Sequence, residues 1–203
     1  MATDSLNDDL AFLRTLAEGS EDNLRMFAEI YFAAGAIYGG EMLLHIGQVL
    51  GWLPPAGLFG LAAGLAPTAI FILVVVAIAL RKGTTAQGNL VGKSIGAVFG
   101  AIGLSNFALI AVIGSVAWRE HSFMTWQIYP CIVFVLQGTG WFVAFRLRQR
   151  AWLGLLAAGW FVIGIAMALS IQWMPGFVAL AALGLFGFMA LPGYLMLRRT
   201  AGA

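Results

Sequence analysis

The sequence predicts an all-α polytopic membrane protein: a bundle of six transmembrane helices preceded by a short N-terminal cytoplasmic amphipathic helix. Three observations carry that expectation. Of the 203 residues, 61% are apolar and only 10% charged, against about 45–50% and about 25% in soluble domains. Six apolar runs recur along the chain, each near the ~20 residues a helix needs to cross a hydrocarbon core. The charges that remain gather at the N-terminus and in the connections between runs.

Residues 1–30 form the acidic cytoplasmic segment. Leu6, Leu10, Leu13 and Ala17 repeat at helical spacing, with Asp8, Asp9, Arg14 and Glu18 elsewhere on the wheel, the pattern of an amphipathic helix. Gly19 suits a helix end and Ser20 a helix start, so the sequence predicts a break there. A second helix then carries Leu24, Phe27 and Tyr31 into the first span through a bend. Seven acids (Asp4, Asp8, Asp9, Glu18, Glu21, Asp22, Glu29) stand against Arg14 and Arg25 in this segment. Helices that bind anionic lipid surfaces are basic. The segment is therefore expected to fold onto the chain's own basic loops as a lid, or to dock a protein partner.

The transmembrane domain covers residues 31–197, with spans at about 31–53, 56–80, 95–118, 124–145, 151–171 and 176–197, and residues 198–203 form a short basic cytoplasmic tail. The connections alternate in character. GWLPPAG, WREHSF and QWMPG are short and aromatic, whereas RKGTTAQGNLVGKS, RLRQR and the tail hold eight of the eleven cations. Positive loops stay in the cytoplasm, so both termini are expected there, in a bacterial cytoplasmic (inner) membrane. Trp52, Trp118, Trp126 and Trp173 then mark the outer interface.

Glycine pairs four apart, Gly35/Gly39, Gly60/Gly64 and Gly96/Gly100, have the spacing that lets membrane helices approach closely. They predict helix contacts within the bundle or a homo-oligomer joined through glycine faces. Pro67, Pro130 and Pro192 fall inside spans and are expected to kink them.

The first span is the least apolar. Glu41, His45 and Gln48 fall at i, i+4 and i+7, and Tyr38 lies three residues before Glu41, so all four share one stripe of one helix. An ionised carboxylate at the membrane midplane costs at least ~2.5–3.5 kcal/mol. Glu41 is therefore expected to be neutral, paired or facing water, within reach of His45, Asn106 near the middle of the third span, or Gln137 in the fourth. Tyr38, Glu41, His45, Gln48, Asn106 and Gln137 are the candidate ligand-binding or proton site. The competing reading is structural, since interhelical hydrogen bonds also fix helix register.

No metal or cofactor is expected. Zinc sites usually take three or four protein ligands, and beyond Glu41 and His45 the sequence offers only His121, in the WREHSF turn. The lone Cys131 excludes an intrachain disulfide and cysteine clusters. Both lysines, Lys82 and Lys93, lie in a loop, which excludes an intramembrane Schiff base. H-E-x-x-H, G-x-S-x-G and the phosphate-binding glycine-lysine motif are all absent. The cations follow topology rather than forming a nucleic-acid stripe, so the bilayer is the one partner class expected throughout. The sequence points first to a non-enzymatic membrane sensor or regulatory partner protein. The alternative is a small-solute or proton-coupled transporter centred on Glu41 and His45.

Overall fold

The computed structural model describes residues 2–54, 57–82 and 90–201, with side chains at 24–54, 57–81 and 91–199. All regular elements among these residues are helical. They are α1 (Ala2–Val49), α2 (Gly57–Lys82), α3 (Leu90–Glu120), α4 (Phe123–Arg148), α5 (Ala151–Leu169), α6 (Met174–Gly184) and α7 (Leu191–Ala201). A π-helical turn, Leu185–Ala190, joins α6 to α7.

Five helical stretches are long and apolar enough to cross a membrane: 57–81, 91–120, 123–148, 151–169 and 174–199. The expected first span, within α1, is not among them. Glu41, His45 and Gln48 dilute its apolar character. α1 is nonetheless packed, with Ala28, Tyr31 and Ala34 all buried and α2, α3, α6, the π turn and α7 around it.

α1 also runs unbroken past Gly19 and Ser20, where the sequence predicts a break. One glycine inside a helix costs only ~1 kcal/mol relative to alanine, too little to interrupt strong helix formers on both sides. The expected apolar face of Leu6, Leu10, Leu13 and Ala17 lies outside the residues whose side chains are described, as does the side chain of Lys82. The helix ends at a Schellman turn: Trp52 N–H donates to the Gly47 carbonyl (2.8 Å) and Gly51 N–H to that of Gln48 (3.1 Å). Gly51 sits at φ +75°, a conformation glycine adopts without a Cβ penalty.

The tightest part of the bundle is the α4–α5 hairpin with the last helix and α1 laid over it. Phe134, Trp141, Ala157, Trp160, Met167, Phe177 and Val178 fill its interior. α1 meets the last helix backbone to backbone. A Cβ on Gly35 would strike the Ala190 backbone, and one on Gly193 would come within 2.6 Å of the Phe32 nitrogen. Gly39 receives the Phe186 ring. The Gly35/Gly39 pair therefore does what its spacing suggests.

The other two pairs differ. A Cβ at Gly64, Gly96 or Gly100 would meet nothing within 4 Å. Among the described residues α2 packs on α1 alone, and α3 on α4 and α1; α2 and α3 do not touch. Those glycines face open space rather than a neighbouring helix.

Pro67 and Pro130 are accommodated inside continuous helices, whereas Pro192 follows directly on the π turn. A proline ring clashes with the carbonyl four residues back and leaves it without a donor. Widening the turn relieves the clash, and the Leu191 N–H reaches back five residues to the Phe186 carbonyl.

Candidate functional site

Polar side chains inside an apolar bundle collect where they find one another or find space, and here they do both. A cavity of about 2060 Å³ opens between α1, α2, α3, α4 and the last helix. Tyr38, Glu41, His45, Gln48, Asn106 and Gln137 all line it. The rest of the wall is chiefly apolar, with Phe71, Phe99, Phe107, Val133 and Met189 among its members.

Helical spacing puts the α1 groups in register, and their contacts form a chain. His45 Nε2 lies 3.5 Å from Glu41 Oε1. His45 Nδ1 lies 2.7 Å from Gln48 Oε1, and Gln48 Nε2 donates to the Pro54 carbonyl at 2.9 Å. Donor and acceptor chemistry fixes the protons. The Pro54 carbonyl can only accept, so the Gln48 amide turns its NH₂ outward and its oxygen towards His45. That oxygen also only accepts, so His45 Nδ1 carries a hydrogen. His45 Nε2 then either accepts a proton from neutral Glu41 or, protonated, faces the Glu41 carboxylate. In both arrangements one proton lies between the two residues. Glu41 is 14% exposed and His45 30%, so this proton is held largely out of reach of bulk solvent.

Tyr38 packs its ring on Phe71 at 5.5 Å, with its hydroxyl towards Thr68 of α2. Across the cavity, Gln137 is only 8% exposed. Its Oε1 and the Oδ1 of Asn106 are buried without any hydrogen-bond partner. An unmet buried acceptor is costly, and both acceptors belong to residues of the cavity wall. Ser105 and Thr139, their sequence neighbours, are exposed instead, and Thr139 spends its hydroxyl on the Val135 carbonyl of its own helix (3.0 Å).

Several wall residues carry no signal in the sequence reading. Buried Gln127 donates to the Met174 sulfur at 3.1 Å, and Tyr129 lies on the same wall. Lys93, Arg148, Arg150 and Arg199 line the end opposite Gln48; in sequence they register only as topology markers. Below them Tyr31 accepts a hydrogen bond from the Trp141 indole, inside a cluster of rings with Phe27 and Phe99. Trp160 turns its indole nitrogen towards the same hydroxyl without making a hydrogen bond.

Among the described residues no three of His, Cys, Asp and Glu converge as a metal site would require. His121 is exposed in the α3–α4 turn, at φ +50°. In comparisons with known proteins, no family model, no curated protein and no solved structure matches the chain.

Proposed function

We propose that the protein is a small, non-enzymatic membrane transporter that binds a solute at a polar site within its bundle and moves it with the proton shared by Glu41 and His45. The observation behind this reading is the convergence of six polar side chains from three helices on one cavity, two of them with unmet acceptors. Polar groups used only to fix helix register would be expected to meet each other. Here Glu41, His45 and Gln48 contact one another along α1 and none of them meets Asn106 or Gln137, whose acceptors stay unmet.

In this reading α1 is the sixth span. Both termini and the cation-rich end of the bundle face the cytoplasm of a cell whose inner membrane holds the protein. The exposed Trp52, Trp118 and Trp173 lie at the outer boundary, as tryptophan commonly does at membrane interfaces. Residues 1–30 are an acidic cytoplasmic extension, and copies of the chain associate, if at all, through glycine faces.

The test uses parent and Glu41→Gln protein in sealed vesicles that contain a pH-sensitive dye, challenged with a panel of organic anions, amino acids, sugars and anionic phospholipids. The amide variant should keep the parent's elution profile and melting temperature yet lose proton movement with every solute. Equal proton movement in both proteins would rule the reading out.

A second reading, a membrane sensor or regulatory partner, draws on the continuity of α1. The helix that bears Glu41 and His45 also bears the acidic N-terminal segment, so a ligand at one end has a rigid connection to the other. Deleting residues 1–19 would then abolish function while leaving the membrane domain stable.

A further inference from the structure

The cavity is open at the side. With α2 and α3 out of contact among the described residues, a slot runs between them, and both of its lips carry glycine. Gly64 on α2 and Gly96, Gly100 and Gly103 on α3 border the cavity, and a methyl group added at any of them would meet nothing within 4 Å. Such a slot faces lipid tails rather than water, and its smooth edges leave room for an acyl chain.

The wall behind the slot is polar at three depths. Lys93, Arg148, Arg150 and Arg199 stand at one end, the unmet acceptors of Gln137 and Asn106 lie between, and Glu41, His45 and Gln48 occupy the rest. Gln137 is more than nine-tenths buried, and its acceptor is enclosed behind the cavity wall without a partner. The cations call for an anion. A slot open to tails beside a wall with cations at one end describes one kind of molecule.

We infer that the substrate is a membrane phospholipid with an anionic headgroup, which enters sideways between α2 and α3. The headgroup passes along the polar wall from the arginines past Gln137 and Asn106 to Glu41, while the tails stay in the slot. This rests on the reading of the cavity as a transport site and names what is transported. The proton shared by Glu41 and His45 has a role here, because it leaves the pair without net charge as the phosphate passes.

The test reconstitutes the full chain in vesicles carrying fluorescent phosphatidylglycerol or fluorescent phosphatidylcholine, whose headgroup is zwitterionic and lacks a hydrogen-bond donor. Dithionite added outside reads movement between leaflets. Phosphatidylglycerol should cross faster than phosphatidylcholine. Replacing Arg148 and Arg150 by Gln should weaken its binding about fivefold per arginine, and the Lys versions should restore it. Gly64→Leu with Gly100→Leu, which fills open space rather than displacing a neighbour, should stop movement while preserving elution profile and melting temperature. Equal rates for the two lipids, no movement of either, or unchanged movement in the leucine variant would each overturn the inference. So would a parent dimer that the leucine variant splits, because the slot would then be an interface between copies. Glu41-dependent proton movement without lipid movement would sink this inference alone and leave the transport reading intact; loss of both would sink the two together.

Discussion

Glycines of similar spacing have opposite meanings in this bundle, and single substitutions separate them. Gly35 lies against the Ala190 backbone, which cannot swing aside as a side chain can. Gly35→Leu should cost about 1–3 kcal/mol or more, measured as a fall in melting temperature in detergent. Gly100→Ala should instead be neutral or gain up to ~1 kcal/mol, since the methyl meets nothing and alanine favours the helix. The Tyr31–Trp141 hydrogen bond is a second residue-scale test. Tyr31→Phe should cost about 0.6 kcal/mol, the usual worth of an interhelical hydrogen bond in membranes, measured by unfolding in mixed micelles. A much larger loss would mean that the hydroxyl also holds Trp160 in place. The legibility of these residues in the sequence differs for a physical reason. Glu41, His45 and Gln48 stand out because lipid penalises them, so their occurrence in an apolar run is informative. Tyr31 and Trp141 do not, because aromatic residues are at home in a membrane whether or not they pair.

Beyond α1, the helices follow the apolar runs, with two instructive departures. α3 begins at Leu90, about one turn ahead of the expected span, because a membrane helix need not stop where its apolar stretch does. The π turn at Leu185–Ala190 has no signature in hydrophobic pattern; only Pro192 hints at it. That turn contains Phe186 and Phe188 and sets their seating on Gly39 and Gly159. Pro192→Ala restores an N–H for the carbonyl four residues back and removes the clash that widens the turn. The last helix should then tighten, unseat one or both rings and lose about 1–3 kcal/mol of stability. A higher melting temperature for this variant would show that the wide turn is a consequence of the proline and nothing more.

Across the whole molecule the packing is uneven. α4, α5 and the last helix form a dense block, whereas α2 rests on one neighbour and α3 mainly on another. The glycine spacing could not distinguish a packed face from an open one, because small residues serve both. This is why the bundle was legible in the sequence and the slot was not. The asymmetry predicts unequal mobility. In a Cys131→Ala background, spin labels at exposed Leu65 and Leu104, on α2 and α3, should give a broad distance distribution. Labels at exposed Val135 and Leu155, on α4 and α5, should give a narrow one. Equally narrow distributions would mean that the slot is rigid.

The position of α1 has a consequence for how the protein is made. Its close partners, the π turn and α7, leave the ribosome long after it does. Roughly 150 residues separate the end of α1 from the end of α7, about 8 to 30 s of synthesis at ordinary rates. During that interval nascent α1 has only α2 beside it at first, with Glu41, His45 and Gln48 turned towards whatever surrounds them. A chain stopped before Met174 would lack those partners permanently. Until they arrive, the polar stripe of α1 is without the helix that packs most closely on it.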